Sequence, residues 1–327
     1  MRWTEFLGNG DAKALLSSYV DGGRFPHALL IEGPAGSGRR TLARTLAKAA
    51  VCEGAQKPCG VCAACRKAAG GNHPDIEELG GSGAARSFHI DVVRDLRERA
   101  YVLPNEAPRR VMILAGADGM TVQAQNALLK ILEEPPASLL FILTCENRAL
   151  LLPTVRSRTL CVTLQGVGAA EALPQMKERL PGADTEQLTQ ALALYDGCIG
   201  RALDAVAGDG LARVQALAGA IAAAVPAPRE WELTAALAPL DQKDKTLTDD
   251  VLAALLLLFL GALALAGGAR RPAAEAAVAL SRQLPAPRLA ALVEAVRDLQ
   301  QTRRRNVNHT LLLTWMSARL RTAAGRE

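Results

Sequence analysis

Short, unbroken apolar runs mark the first half of the chain. Ala28-Leu29-Leu30-Ile31, Val111-Met112-Ile113-Leu114 and Leu139 to Thr144 are four to six residues long and show no polar alternation, which predicts strands buried on both faces, as in a parallel sheet. Asp75-Ile76-Glu77-Glu78-Leu79 is a fourth, more polar candidate. Between these runs lie stretches with helical spacing: TLARTLAKAA from Thr41, Ile90 to Tyr101, and Thr121 to Glu134. The last carries Ala127, Leu128, Ile131 and Leu132 as an apolar stripe and stops at Pro135-Pro136. Residues 1 to 25 read as a short helix and a connector. Alternating strands and helices predict an α/β domain with a parallel sheet.

After about Leu164 the pattern changes. Strand-like runs vanish, Ala, Leu and Arg dominate, and helices are expected to the end of the chain. A small helical unit reads from Ala169 to about Gly208, broken by a turn at Gly197 to Arg201. The Pro-containing stretch Val225 to Arg229 reads as a linker, and a second helical block starts at Trp231 and ends in the amphipathic LLLTWMSARL. The expected division is therefore 1–165 α/β, 166–225 helical and 226–327 helical. Val251 to Gly268 is uncharged for eighteen residues, the length of a membrane span. Its Ala and Gly content, the preceding Asp249-Asp250 and the closing Gly267-Gly268 fit instead a helix buried in a helical assembly.

Composition narrows this picture only a little. At 327 residues, half of them apolar, the chain has room for two or three domains with real cores. A net charge of +5 permits a nucleic-acid partner, but Lys and Arg are spread along the chain, and aromatics at 3% offer few stacking platforms. Arg94, Arg97 and Arg99 stud one helix, where a phosphate-tracking face and a solvated face with acidic partners are both readings. The opening MRWTEFLGNGDAKALL lacks the basic and apolar regions of a secretory signal, so a cytoplasmic address is expected. With that address, seven cysteines suggest thiols or a metal site before disulfides.

Two segments carry recognisable chemistry. G-P-A-G-S-G-R-R-T, from Gly33 to Thr41, has the outline of a phosphate loop between a strand and a helix. Such a loop wraps phosphates in the backbone amides of Gly33, Gly36 and Gly38, reaches them with a Lys, and holds Mg²⁺ with a Ser or Thr hydroxyl. Here Arg39 stands at the Lys position and Arg40 at the hydroxyl position. The strand Val111 to Leu114 ends in Ala115-Gly116, where a nucleotide hydrolase needs acids for Mg²⁺ and water, and Asp118 lies two residues beyond as a turn or helix-start residue. Cys52 is followed, after six residues, by C-G-V-C-A-A-C from Cys59 to Cys65. Four thiolates at this spacing suit one closed, tetrahedral structural Zn²⁺ held by Cys52, Cys59, Cys62 and Cys65; an iron–sulfur cluster or four free thiols are the alternatives. Cys145, Cys161 and Cys198 have no metal-ligand company in sequence.

Taken in order, FPHALLIEGPAGSGRRTLA from Phe25, the four-Cys insertion, NALLKILEEPP from Asn126 and LPTVRSR from Leu152 resemble the clamp-loader branch of the AAA+ family, within the bacterial DNA polymerase III assembly. The resemblance implies a RecA-like α/β domain, a small helical lid and a C-terminal helical collar. It implies partners too: tau/gamma and delta subunits in a hetero-oligomeric ring, the sliding clamp and primed DNA, with no membrane. Lys130 and Arg158 match positions that face the adjacent subunit's ATP, Arg158 matching the arginine finger, although Thr159 replaces the usual following Cys. Gly200 stands where hydrolysing relatives place a nucleotide-sensing Arg, and Arg201 is one step later. The reading is a non-hydrolysing loader subunit, its loop giving weak nucleotide binding or none. An ATP-hydrolysing tau/gamma-like motor and a stand-alone zinc-containing DNA-binding module are the alternatives.

Overall fold

A computed structural model describes residues 1–80, 90–242, 245–270, 273–303 and 307–326. By packing, the chain forms two compact units, Met1–Gly182 with Asp196–Arg201, and Ala183–Tyr195 with Ala202–Glu327.

The first unit is a three-layer α/β structure. Strands β1 (Ala28–Glu32), β2 (Ile76–Leu79), β3 (Arg110–Ala115), β4 (Leu139–Cys145) and β5 (Leu160–Thr163) form one sheet in the order β2-β3-β4-β1-β5, every neighbouring pair parallel. The helices are α1 (Gly10–Asp21), α2 (Arg39–Val51), α3 (Ala63–Ala69), α4 (Ile90–Ala100), α5 (Val122–Glu133), α6 (Pro153–Arg156) and α7 (Ala169–Arg179). Because successive strand side chains point to opposite faces, each apolar run feeds two cores. Leu29, Ile31, Val111, Ile113, Leu140 and Ile142 meet Leu16 of α1 and Leu42 and Leu46 of α2. Leu30, Met112, Leu114, Phe141 and Leu143 meet Val93 and Leu96 of α4 and Leu128 and Ile131 of α5.

Two details differ from the pattern-based expectation. Strand β5, Leu160-Cys161-Val162-Thr163, was not among the expected strands: it is a four-residue edge strand in which Val162 alone is fully buried, and it pairs with β1 from Leu29↔Leu160 onward. Strand β2 starts at Ile76 because the fully buried Asp75 does other work. Its carboxylate accepts the backbone N–H groups of Asn105, Glu106 and Ala107 at 2.6, 2.9 and 2.9 Å, and the Asn105 side-chain amide at 3.0 Å. Burial pushes this carboxyl up, but the amides outweigh it and hold the carboxyl below its usual range. A depressed folded value means the stabilisation is present above the unfolded value, about 4, and is lost as pH falls through the folded one. Asp75→Asn, which presents an NH₂ to those donors, is expected to cost about 2–4 kcal/mol at pH 7 in urea unfolding, with the difference from the unmutated chain narrowing below about pH 4.

The second unit is helical: α8 (Thr185–Leu194), then α10 (Gly210–Ala224) to α15 (His309–Ala324), by way of α11 (Glu230–Leu237), α12 (Lys245–Ala266), α13 (Glu275–Gln283) and α14 (Ala286–Arg303). Helix α9 (Ile199–Ala207) begins with residues of the first unit, so the expected turn is confined to Tyr195–Cys198, and Ile199, Gly200 and Arg201 are helical. Val225 and Pro226, in the expected linker, are buried. Helix α12 is long and apolar enough to cross a membrane, and 39% of its most apolar window is buried. Val251, Leu252, Ala254, Leu255, Phe259, Gly261 and Ala262 supply that burial, in a helix packed on α10, α13 and α14.

Candidate functional site

The phosphate-loop segment folds as its glycines demand. Gly36 and Gly38 take φ of +76° and +88°, and Gly38 leads into α2. The loop borders a cavity of about 330 Å³ that also touches Ala115, Gly116, Asp118, Thr144 and Glu146. Both arginines at its cationic positions are already paired within the chain. Arg39 Nη2 lies 3.0 Å from Glu146 Oε1, while Arg40 and Arg44 converge on Glu78 of β2, the Arg44 contact at 2.7 Å. The carboxylates that border the cavity are likewise engaged. Glu5 pairs with Lys48 at 2.8 Å, Glu146 holds Arg39, and Asp118 accepts the Glu146 and Asn147 backbone N–H groups at 2.8 and 3.3 Å. The buried Ser37 hydroxyl is left without a hydrogen-bond partner.

The first turn of α9 closes on this loop. Gly200 N–H donates to the Gly36 carbonyl at 3.0 Å. A side chain at Gly36 would meet the Arg201 backbone nitrogen at 2.4 Å, and one at Gly200 would meet the Gly36 backbone at 3.0 Å. A side chain at Gly200 would therefore be crowded against the loop, which would have to shift by a few tenths of an ångström. Arg39, Arg40, Ala115 and Gly200 all line this one cavity.

Lys130 and Arg158 lie at the other end of the sheet. In a parallel sheet the loop after β1 is at the carboxyl ends of the strands, whereas Arg158 is two residues before β5 and the C-terminal turn of α5 leads into β4, both at amino ends. The five residues of β1 span about 16 Å, more than an Arg side chain reaches, so Arg158 cannot serve its own loop. The Arg158 side chain is about one third exposed. Its Nη1 donates to the Thr154 carbonyl at 3.0 Å, and its Nη2 lies 2.8 Å from Glu133 Oε1. Lys130, one turn earlier on α5, is exposed and has no ion-pair partner among the described residues. Gln125, which pattern reading missed, ties these parts together: its buried amide donates to the Met120 and Leu150 carbonyls, both at 3.3 Å, and accepts Leu152 N–H at 2.7 Å, fixing the start of α6. The available signal was a Gln in line with Leu128 and Leu132 on the buried face.

The four cysteines do come together. All four sulfurs lie within 4.8 Å of one another, Cys59 and Cys65 at 3.9 Å. A tetrahedral ion with metal–sulfur bonds near 2.3 Å needs sulfurs roughly 3.8 Å apart, so the cage fits with small adjustment. Backbone N–H groups of Gly54 and Cys59 point at Cys52 Sγ (3.3 and 3.2 Å), that of Cys62 at Cys59 Sγ (3.3 Å) and that of Cys65 at Cys62 Sγ (3.4 Å). Gly54 permits this closeness, since a side chain there would stand 2.8 Å from Cys59 Cβ. The Cys62 and Val61 amides bring the Cys59 thiol down to about 6, while burial pushes Cys65 up to about 12. Four sulfurs gathered this closely could hold a metal ion. Burial, with Asp118 and Glu32 nearby, also pushes Cys145 up to about 12, and burial raises Cys198.

A parallel sheet in this order, with a phosphate-loop turn after its β1 strand, is the RecA-like fold of an AAA+ protein. The profile of the family described as "DNA polymerase III, delta subunit" matches residues 8–168. DNA polymerase III subunit delta' of Escherichia coli K12 is 33% identical over 239 residues, 72% of this chain and 71% of that protein. The namesake of Pseudomonas aeruginosa is 37% identical over 187 residues, 57% of each chain. DNA polymerase III subunit gamma/tau of Mycobacterium tuberculosis H37Rv is 41% identical over 162 residues, 48% of this chain and 27% of that protein. The chain belongs to the family of DNA polymerase III delta-prime subunits.

Proposed function

We infer that this chain is the non-hydrolysing delta-prime subunit of a replicative clamp loader and completes the ATP site of a neighbouring subunit with Arg158, assisted by Lys130. The observation that supports this most directly is topological. The degenerate loop and Arg158 occupy opposite ends of one sheet, so whatever phosphate Arg158 meets is bound by another chain. The neighbours in this reading are tau/gamma and delta subunits in a cytoplasmic hetero-oligomeric ring that loads the sliding clamp on primed DNA. Residues 1–165 are then the AAA+ domain, 166–225 a lid and 226–327 the collar. Cys52, Cys59, Cys62 and Cys65 hold one structural Zn²⁺: four thiolates favour it over harder ions and leave no open position for catalysis.

A tau/gamma-like motor is disfavoured by the internal pairing of Arg39 and Arg40 and by the missing carboxylates at the end of β3. A stand-alone zinc-containing DNA-binding module is disfavoured by the scarcity of aromatics. The isolated chain is expected to show no ATP turnover, since neither a metal-holding hydroxyl nor a water-activating acid is in place. Weak binding of inorganic phosphate or sulfate at the start of α2 is compatible with this, because Ser37 and the loop amides favour anions regardless of catalysis. Turnover well above background that disappears with Arg39→Ala would restore the motor reading.

A further inference from the structure

Glu133 is the last residue of α5, where the unpaired carbonyls of the helix end already carry negative charge and an acid is disfavoured. Helix stability does not ask for a carboxylate there. Its partner is Arg158, whose two terminal nitrogens are both taken, Nη2 by Glu133 at 2.8 Å and Nη1 by the Thr154 carbonyl at 3.0 Å. A guanidinium fork suits a carboxylate and a phosphate equally, so an arriving phosphate competes with Glu133 for the same donors. The pair stands at the surface, the Glu133 side chain about half exposed, so the exchange is open to a neighbouring chain.

We propose that Glu133 is a positioning residue that holds Arg158 in the free subunit and yields it to the terminal phosphate of a nucleotide bound next door. This rests on the trans-acting reading above and adds a restraint to it. Arg158 is aimed and neutralised by its own chain until a doubly charged competitor is presented at the right place. Idle hydrolysis by the neighbouring subunit is thereby held down.

The test is steady-state ATP hydrolysis by the reconstituted loader, with and without clamp and primed DNA, for Glu133→Gln, Glu133→Asp, Arg158→Ala and the double variant Glu133→Gln with Arg158→Ala. Glu133→Gln is expected to raise the unstimulated kcat/KM for ATP about two- to fivefold, the scale set by one exposed ion pair, and to change the stimulated rate less than about twofold. Glu133→Asp should stay near the unmutated chain, and the double variant should match Arg158→Ala, since Glu133 acts through Arg158. An unchanged or lowered unstimulated rate in Glu133→Gln overturns the proposal while leaving the finger in place, as does a double variant that differs from Arg158→Ala. Unmutated rates in Arg158→Ala overturn the trans-acting reading and the proposal together.

Discussion

Replacing Arg158 by Ala is expected to leave the loader assembled and to lower its clamp- and DNA-stimulated ATP hydrolysis by about tenfold or more. The sign follows from charge. A planar, permanently charged guanidinium at a subunit edge neutralises negative charge that develops on the transferring phosphoryl group, and water does so far less well. Where such fingers are best measured the contribution is on the order of 10³ or more in rate, and a ring with several sites dilutes the loss of one. Assembly should survive because what the variant removes inside this chain is an exposed pair with Glu133 and a bond to the Thr154 carbonyl, together contributing about 1 kcal/mol. Complex mass by native mass spectrometry and hydrolysis rates on the same preparation separate the two effects. An intact complex hydrolysing at the unmutated rate would rule out the trans-acting role.

That prediction depends on a separation that residue patterns alone could not supply. The runs at Ala28, Val111 and Leu139 were legible as buried strands because an α/β sheet covered on both faces writes apolar residues at every position. The loop outline was legible from its glycines, whose positive φ no other residue adopts readily. Strand β5 was not legible: the apolar run Leu160-Cys161-Val162 is only three residues long, too short for its periodicity to separate a strand from a loop or a helical turn. Yet β5 sets which end of the sheet Arg158 occupies. The pairings Arg39–Glu146, Arg40–Glu78 and Arg158–Glu133 were equally hidden, since they join residues 107, 38 and 25 positions apart whose meeting depends on strand order. The cysteine cage lies at the opposite extreme. All its ligands fall within one short stretch, so spacing alone predicted their convergence.

Loss of metal from that cage is expected to have the largest effect on folding. Cys62→Ser with Cys65→Ser, or treatment with a strong chelator, should reduce zinc from near one per chain to near zero by elemental analysis. The loop between Cys52 and Cys59 has no strand or helix of its own, and its order comes from N–H···S bonds and from two contacts to Arg2, which donates from its backbone to the Lys57 carbonyl at 2.9 Å and from its side chain to the Cys59 carbonyl at 3.1 Å. Structural zinc sites of this type bind with apparent free energies of order 10 kcal/mol, most of which is realised as local folding. Residues 52–70 should therefore become protease-sensitive and lose hydrogen-exchange protection, with local stability falling by roughly 5 kcal/mol or more. The rest of the first unit should remain folded, because the module contributes only Ala64, with Cys62 and Ala68 at its margin, to a core otherwise built from the sheet, α1 and α2. Retained protection across residues 52–70 in metal-free protein would show that the cysteines are structural thiols without a metal.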